Sequence, residues 1–517
     1  MQETLFLNAR IPRLDAAGPA GTWLLAHCGH ISALDPGGES APQRPGIQEV
    51  DLRGRTVIPG PVDAHCHLVS YGMQRRREAD LRGARSLAEI RARLEAHATL
   101  LDLRDGDGRW LLGRGFDQEI LAERRWPNRD DLDSIASGRP LRITRICGHA
   151  LVANTHALHL AGVSSSPHGE FPAGVATEER MTPLNAAVPA PTDAEWREAA
   201  LWAAHEAARV GFVGVHSLMA HEREIRALVA LDRDGELPVR VQMQPPYAML
   251  DTLQAAGIQT GFGSDYLTFG AIKLFSDGSL GARTAALGAP YSDDPRTAGE
   301  LIYGPDELAR RVQRIYDAGF QVCTHAIGDR AMAATLDAME AGEMVRQGNP
   351  SARRFPPRIE HASLVNPALV ERMRSLGVVA AVQPQFARSD YWAPERLGVE
   401  RARGCYAFRT LWEGGVPLGG STDCPVEPLD ALAALGQMVS RPPWSPDEVI
   451  PLEAALRIFS EGSYQLQGAP PGAGRLAVGQ RADFVALEQD PWRVPAAEVE
   501  CISVAVTVVG GIIRHLQ

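Results

Sequence analysis

Lys273 is the only lysine among the 52 lysine and arginine residues of this 517-residue chain. The guanidinium of arginine stays protonated in proteins, so it cannot act as a nucleophile or accept a carboxyl group, whereas a neutral lysine amine can do both. Lys273 lies in an apolar, strand-like segment that leads into a Ser-Asp-Gly-Ser turn at 276–279. Drift of the composition towards arginine would also leave a lone lysine, so the case for amine chemistry depends on other residues.

Two histidines that could share one metal ion end the motif Pro-Gly-Pro-Val-Asp-Ala-His-Cys-His at 59–67. His65 and His67 are two residues apart at the end of a strand-like segment, so both imidazoles would point to one face. The motif His-x-His is common by chance. The apolar strand and the Pro-Gly-Pro turn around it favour a metal site.

Three further candidate ligands, His325, His361 and Asp423, stand where a predicted strand gives way to a loop. Each one alone is more typical of a core or surface residue, or of a helix N-cap in the case of Asp423. Their spacing favours a shared site, because the steps from Lys273 to His325, His361 and Asp423 are 52, 36 and 62 residues. These steps match one, one and two βα units of a barrel, which predicts that all the candidates project at the same barrel mouth.

The elements that must position these residues alternate between strand-like and helical patterns. Seven apolar segments between about 205 and 425, together with the strand that ends at His65 and His67, give the strand count of a (β/α)8 barrel. We expect this barrel to occupy residues 59–465. Residues 70–200 break the alternation, which predicts an insertion after the first barrel strand.

Both ends of the chain predict sheet. Residues 1–58 and 466–517 contain short strand-like runs broken by Gly and Pro turns. We expect these two segments to build one small composite β-sandwich domain.

The bulk composition limits the classes of partner. The formal net charge is -11 and the pI is about 5.8, without a dense basic tract, which disfavours nucleic acid and membrane surfaces and favours a small-molecule substrate. Seven cysteines without a close pair suit a reducing compartment, and no segment predicts a leader or a membrane span. The sequence therefore predicts a cytoplasmic protein, and it is compatible with a homo-oligomer.

The candidate residues resemble the amidohydrolase superfamily, and within it the amidohydrolase-3 branch that includes N-substituted formamide deformylase and YtcJ-like metal-dependent hydrolases. The matching motifs run nearly end to end: Pro-Gly-x-x-Asp-x-His-x-His at 59–67, Lys273 with Asp-Gly-Ser-Leu-Gly at 277–281, His325-Ala-Ile-Gly-Asp, Glu360-His361, Ser421-x-Asp423 and Gly-x-x-Ala-Asp at 479–483. The resemblance implies an α/β fold, a distorted (β/α)8 TIM barrel with a β-sandwich from both chain ends. It also implies one or two divalent metal ions, usually zinc.

In a two-metal site, one ion would be held by His65, His67 and Asp423, and the other by His325 and His361. Lys273, carboxylated by carbon dioxide, would form the bridge between the two ions. A site with one metal ion is the alternative. Asp423 would take a proton from metal-activated water and then deliver a proton to a leaving nitrogen. The expected function is hydrolysis of a non-peptide C–N bond in an amide, a formamide or a cyclic amide.

Three residues are candidates for substrate contacts. Arg283, on the loop after Lys273, could hold a substrate carboxylate or form a surface ion pair, and Asp277 could contact the ligand or orient that loop. The segment Cys147-Gly-His149 resembles the Asp-Gly-His of the family, with Cys147 in place of the usual Asp. It lies in the insertion, which the resemblance places over the barrel mouth. His149 could donate a hydrogen bond to substrate or be a buried structural residue.

Two other functions compete with metal-dependent hydrolysis. A lone barrel lysine also suits a Schiff-base lyase or a decarboxylase, but that chemistry would leave the four histidines unexplained. A non-catalytic, regulatory relative could keep the barrel without its chemistry. Such relatives typically lose metal ligands, and every expected ligand is present in this sequence.

Overall fold

The computed structural model describes residues 3–14, 19–43, 46–105, 109–146, 148, 150–163 and 171–517. The chain divides into two compact units, one formed by Met1–Val69 with Ala200–Gln517 and the other by Ser70–Ala199. The predicted His149 and its neighbour Cys147 lie outside the described residues. No helix among the described residues is both long enough and apolar enough to cross a membrane.

The strands of the described residues are, in chain order, β1 Glu3–Leu7, β2 Leu24–His27, β3 His30–Leu34, β4 Gln48–Asp51, β5 Thr56–Pro59, β6 Val62–Cys66, β7 Glu78–Asp80, β8 Leu111–Phe116, β9 Leu141–Arg145, β10 Ala150–Ala153, β11 Val175–Thr177, β12 Gly214–Leu218, β13 Arg240–Gln244, β14 Leu267–Phe269, β15 Ile272–Phe275, β16 Val322–Ala326, β17 Arg358–His361, β18 Val379–Val382, β19 Leu418–Gly420, β20 Phe484–Leu487, β21 Val504–Val509 and β22 Ile512–Leu516.

The α-helices are α1 Leu68–Arg77, α2 Leu87–Asp105, α3 Arg129–Asp133, α4 Thr155–Leu160, α5 Met181–Ala186, α6 Asp193–Arg209, α7 Glu222–Arg233, α8 Leu250–Ala255, α9 Pro305–Asp317, α10 Asp329–Gly348, α11 Pro367–Ser375, α12 Phe386–Ser389, α13 Ala393–Leu397, α14 Val399–Ala402, α15 Phe408–Glu413, α16 Ala431–Val439, α17 Leu452–Arg457 and α18 Ser463–Gln465. A π-helical turn, Ile458–Gly462, joins α17 to α18.

The candidate site belongs to two parallel sheets of the first unit, with strand orders β14-β13-β12-β6 and β15-β16-β17-β18-β19. Strands such as β18, Val379–Val382, are buried along their whole length, which is typical of a parallel sheet covered on both faces. The sequence marks where the helices between these strands begin. In α11, for example, Asn366 caps the helix through the backbone N–H of Leu369 and Pro367 takes the first turn. Strands that alternate with helices in this way confirm the predicted α/β class.

The two chain ends share one hydrophobic core. The N-terminal strands form a sheet of order β3-β2-β1-β4, and the C-terminal strands pair with the N-terminal β5 in a sheet of order β22-β21-β20-β5. The rings of Phe6 and Phe484, one from each end of the chain, meet edge to face with their centroids 4.9 Å apart. The two ends therefore fold together although they are far apart in the sequence.

The second unit has its own sheet and its own core. Its strand order is β11-β10-β9-β8-β7, and buried side chains such as Leu94, Phe116 and Ile143 pack into one cluster. This unit lies within the segment that the sequence predicted as an insertion.

A buried ion pair joins the sheet of the candidate site to the C-terminal sheet. Arg240 at the start of β13 and Asp483 just before β20 are each 7% exposed, and Nε of Arg240 lies 2.7 Å from Oδ2 of Asp483. Because removing one partner would leave the other charge buried and unpaired, we expect Arg240→Met to lower the free energy of unfolding by about 3–5 kcal/mol.

Chemical denaturation of the full chain measures that loss. The control is Arg226→Met, which breaks an exposed pair with Glu222 and should change the free energy of unfolding by less than about 1 kcal/mol. Equal losses in the two variants would show that the buried pair does not stabilise the fold.

Candidate metal centre

All the predicted ligands lie in or just after parallel strands, and all of them except Lys273 lie at or near the carboxyl end of the strand. They are His65 in β6, His67 just after it, Lys273 in β15, His325 in β16, His361 at the end of β17 and Asp423 just after β19. In parallel α/β sheets these ends share one edge, which is where such folds bind ligands.

Three of these residues converge closely enough to hold one ion. The ligand atoms of His65, His361 and Asp423 all lie within 4.8 Å of one another, and the three residues are buried. Oδ1 of Asp423 is 3.3 Å from Nε2 of His65 and also 3.3 Å from Nε2 of His67. Imidazole nitrogen and carboxylate oxygen are the donors that zinc accepts, so the donor set fits a divalent metal ion.

His325 extends the cluster to a second group of donors. The centroid of its ring is 4.4 Å from that of His361, whose ring is in turn 4.9 Å from that of His65. The structure therefore brings together the two lone strand-end histidines and the His-x-His pair.

Lys273 is buried at this cluster. It is 2% exposed, and among the described residues its Nζ has no hydrogen-bond partner, although it lies over the ring of Phe275 at 5.1 Å. Burial lowers the pKa of the Lys273 amine, which favours the neutral form that can react with carbon dioxide. A buried amine without a hydrogen-bond partner raises the free energy of the folded state unless another group binds it. A purely structural role would not explain Lys273 at this position.

Each of the four imidazoles uses one ring nitrogen to bond a protein oxygen: Nδ1 of His65 to Oε2 of Glu360 at 2.6 Å, Nδ1 of His67 to O of Leu218 at 3.2 Å, Nδ1 of His361 to Oε1 of Gln383 at 2.8 Å, and Nε2 of His325 to O of Gly278 at 2.9 Å. A neutral imidazole that donates from one nitrogen carries a lone pair on the other. His325 would therefore bind a metal through Nδ1 and the other three through Nε2.

Charge at the site follows from burial and neighbouring groups. Burial lowers the pKa of His325 to about 3 and the pKa of His361 well below its usual value, so both imidazoles are neutral. Burial would raise the pKa of Asp423, but the His65 and His67 rings outweigh it and hold that pKa well below its usual range. The neutral rings of His325 and His361 and the ionised Asp423 are in the protonation states that a metal ion requires, whereas Asp423 and Glu360 outweigh burial and raise the pKa of His65.

Two of the candidate ligands have unusual backbone angles. His361 has φ of 76° and Asp423 has φ of 59°, in the left-handed region that side chains other than glycine rarely adopt. Such angles cost about 1–3 kcal/mol each and cluster at functional sites. Here they turn both side chains at the points where their strands end.

Asp63 is a site residue whose role the sequence left unassigned. Its buried carboxylate accepts hydrogen bonds from the backbone N–H of His65 at 3.1 Å, from the backbone N–H of Thr422 at 3.0 Å and from the Thr422 hydroxyl at 2.5 Å. Burial raises the pKa of Asp63 to about 7. The side chain of Asp63 thus connects the strand of His65 to the loop that carries Asp423. Its position two residues before His65, on the same face of the strand, is the feature of the sequence that could have predicted this role.

The predicted substrate contacts have protein partners. The carboxylate of Asp277 accepts backbone N–H groups from Ala286, Ile327 and Gly328 at 2.8–3.0 Å, so it orients its loop. Arg283 makes a bidentate pair with Asp293 at 3.2 and 2.6 Å. A substrate contact by either residue stays a prediction.

Comparison with known proteins agrees with these motifs. YtcJ of Bacillus subtilis (strain 168) is 29% identical over 493 aligned positions, covering 90% of each chain. N-substituted formamide deformylase of Arthrobacter pascens is 24% identical over 548 aligned positions, covering 100% of this chain and 98% of that protein. The crystal structure of an uncharacterized metal-dependent hydrolase from Pyrococcus furiosus matches 95% of this chain and 100% of its own, with a TM-score of 0.80 and 32% identity.

The sequence model of the Amidohydrolase family matches residues 48–515, a range that includes every candidate metal ligand. With this match and the relatives above, the chain belongs to the amidohydrolase family.

Proposed function

We propose that this chain is a metal-dependent hydrolase of a non-peptide C–N bond, in an amide, a formamide or a cyclic amide. The observation that carries the proposal is the convergence of His65, His361 and Asp423, whose donor atoms lie within 4.8 Å of one another. Family membership supports a hydrolase, and similarity to a protein named as a metal-dependent hydrolase supports the metal. Similarity to a formamide deformylase supports the bond class.

The proposed frame is a closed (β/α)8 barrel over residues 59–465, with a β-sandwich from 1–58 and 466–517. Backbone contacts at both seams between the two parallel sheets support closure. At one seam Lys273 N–H donates to O of Pro245 at 2.9 Å, and at the other Asp423 N–H donates to O of His65 at 2.7 Å. The shared core of the two chain ends supports the sandwich.

Two divalent metal ions are proposed, with zinc as the metal, although the cluster of His65, His361 and Asp423 would also suit a single ion. His65, His67 and Asp423 would hold one ion, and His325 and His361 the other. A carboxylated Lys273 would lie between the two ions, with a mononuclear site as the alternative. A bound zinc ion would lower the pKa of water and polarise a carbonyl oxygen.

Asp423 is the proposed proton carrier. A carboxylate oxygen of Asp423 would accept a proton from the attacking water and then deliver a proton to the leaving nitrogen. Water is thereby added across the C–N bond, which yields a carboxylic acid and an amine. His149, Arg283 and Asp277 are the proposed substrate-binding residues.

Metal removal tests the proposal. We expect the chain purified without chelator to contain about two divalent ions by mass spectrometry, as a bridged site requires. Dialysis against a chelator should lower hydrolysis of formamides, N-acyl amino acids or cyclic amides by about 10³-fold or more, and zinc should restore it. Full activity in the metal-free protein would refute the proposal.

A further inference from the structure

A charged pair lies inside the sheet beneath the candidate metal centre. Arg358 and Glu360 occupy alternate positions of β17, so they share a face of the strand, and both are 0% exposed. The interior of such sheets is usually filled by branched apolar side chains, and a buried charge is costly unless it is paired. The presence of both charges therefore calls for a role beyond packing.

The guanidinium of Arg358 makes hydrogen bonds through all three of its nitrogens. Its Nε donates to Oε1 of Glu360 at 2.5 Å, and Nη2 donates to Oε2 of Glu360 at 3.2 Å and to the carbonyl of Ala64 at 2.5 Å. Its Nη1 donates to Nδ1 of His216 at 2.8 Å. This planar fork fixes the Glu360 carboxylate in one orientation.

His216 closes the far side of this arrangement. Its Nδ1 lies 2.8 Å from Nη1 of Arg358, and its Nε2 meets Nε2 of the side-chain amide of Gln467, which follows α18. Burial, with the charge of Arg358, lowers the pKa of His216 well below its usual value, in agreement with a neutral ring. Arg358 is therefore held from both sides.

Glu360 passes this orientation to a candidate metal ligand. Its Oε2 accepts the hydrogen bond from Nδ1 of His65 at 2.6 Å, while Nε2 of His65 lies 3.3 Å from Oδ1 of Asp423. His67 differs, because its Nδ1 meets the backbone carbonyl of Leu218 at 3.2 Å. Of the two histidines in the His-x-His motif, His65 alone is oriented by a carboxylate.

We propose that Arg358 and Glu360 are positioning residues for His65. Arg358 fixes the Glu360 carboxylate, and Glu360 fixes both the proton on Nδ1 of His65 and the direction of its Nε2 lone pair. This inference rests on the proposed metal-dependent function. It predicts that the pair sets metal affinity although neither residue binds the metal.

The test measures zinc affinity of the full chain by competition with a chromophoric chelator. Loss of an outer hydrogen-bond partner of a metal-binding histidine typically weakens affinity by about 10–100-fold, and we expect that loss in Glu360→Gln. The absorption spectrum of the cobalt-loaded protein should change as well, because it reports the ligands of the ion. A merely structural role would leave both readouts unchanged in protein that folds.

The matched control is Asp483→Asn, which also neutralises the carboxylate of a buried arginine pair, but outside the metal centre. It should destabilise the fold while leaving zinc affinity within about twofold, since its partner Arg240 bonds the side chains of Asp483 and Asp265, neither of which is a candidate ligand. An equal loss of zinc affinity in both variants would overturn the positioning role.

Glu360→Gln could fail to fold, because it leaves the charge of Arg358 buried and unpaired. The double variant Arg358→Met with Glu360→Met removes both charges at similar volume, and we expect it to fold and still to bind zinc about 10–100-fold more weakly. Zinc affinity like that of the unchanged chain would overturn the inference while leaving the proposed function intact. An unchanged chain that binds no zinc would overturn both.

Discussion

Arginine in place of Lys273 is expected to preserve the charge at this position, to remove at least one metal ion and to lower kcat/KM by about 10³-fold or more. Lysine can add carbon dioxide to its neutral amine and so become an anion between two cations. The guanidinium cannot do this, because it stays protonated. The burial of Lys273 and the unpartnered Nζ make this position suited to such a bridge.

The measurement combines metal content by mass spectrometry with kinetics and thermal unfolding of the variant. Lys273→Met is the companion variant, because it removes the cation as well and should lose the same metal ion. Since the chain has a single lysine, carbon-13-labelled bicarbonate should give one lysine carbamate resonance in the unchanged protein and none in either variant. A Lys273→Arg protein with full activity and two metal ions would exclude the carboxylated bridge.

The second large effect is expected at Asp423. Asp423→Asn keeps the size of the side chain and one oxygen donor but removes the ability to accept a proton from water. General acid–base catalysis typically contributes about 10²–10⁴-fold, so we expect kcat to fall by that factor while most of the metal remains bound.

Kinetics on the metal-loaded variant measure this effect. Asp337→Asn, at an exposed carboxylate that pairs with Arg372, is the same chemical change outside the site and should leave kcat within about twofold. If Asp423→Asn lost its metal in full, Asp423 would act chiefly as a ligand. If Asp423→Asn kept both its metal and its kcat, a group other than Asp423 would carry the proton.

The two experiments separate two proposed roles. Lys273 should act through metal content, whereas Asp423 should act through turnover with the metal still present. A Schiff-base lyase would behave differently, because Lys273→Arg would abolish its activity without any change in bound metal.

Much of the frame followed from local sequence patterns. The α/β class could be predicted because buried parallel strands are apolar runs that alternate with helical periodicity. The likeness to the amidohydrolase family followed from motifs within a few residues of one another, such as His65 with His67. Residues two apart on a strand share a face whatever the rest of the fold does, so this pair needed no tertiary information.

Orientation of the site residues was decided by the tertiary structure. Glu360 is 295 residues from His65 in the sequence, yet their side chains meet at 2.6 Å. The sequence identified Glu360 only as part of a motif. Which residue donates a hydrogen bond to Glu360 depends on how deeply each side chain lies inside the sheet and on the register of strands that are distant in the chain.

Asp277 shows the same division between sequence and structure. Its position after the Lys273 strand left substrate binding and loop orientation equally open. The folded chain brings three backbone N–H groups to its carboxylate, two of them from the loop after β16. The sequence by itself thus determined which chemical groups are available and near which strand ends they lie. Only the tertiary structure decided which nitrogen of each histidine faces the site, because hydrogen bonds to distant residues fix that choice.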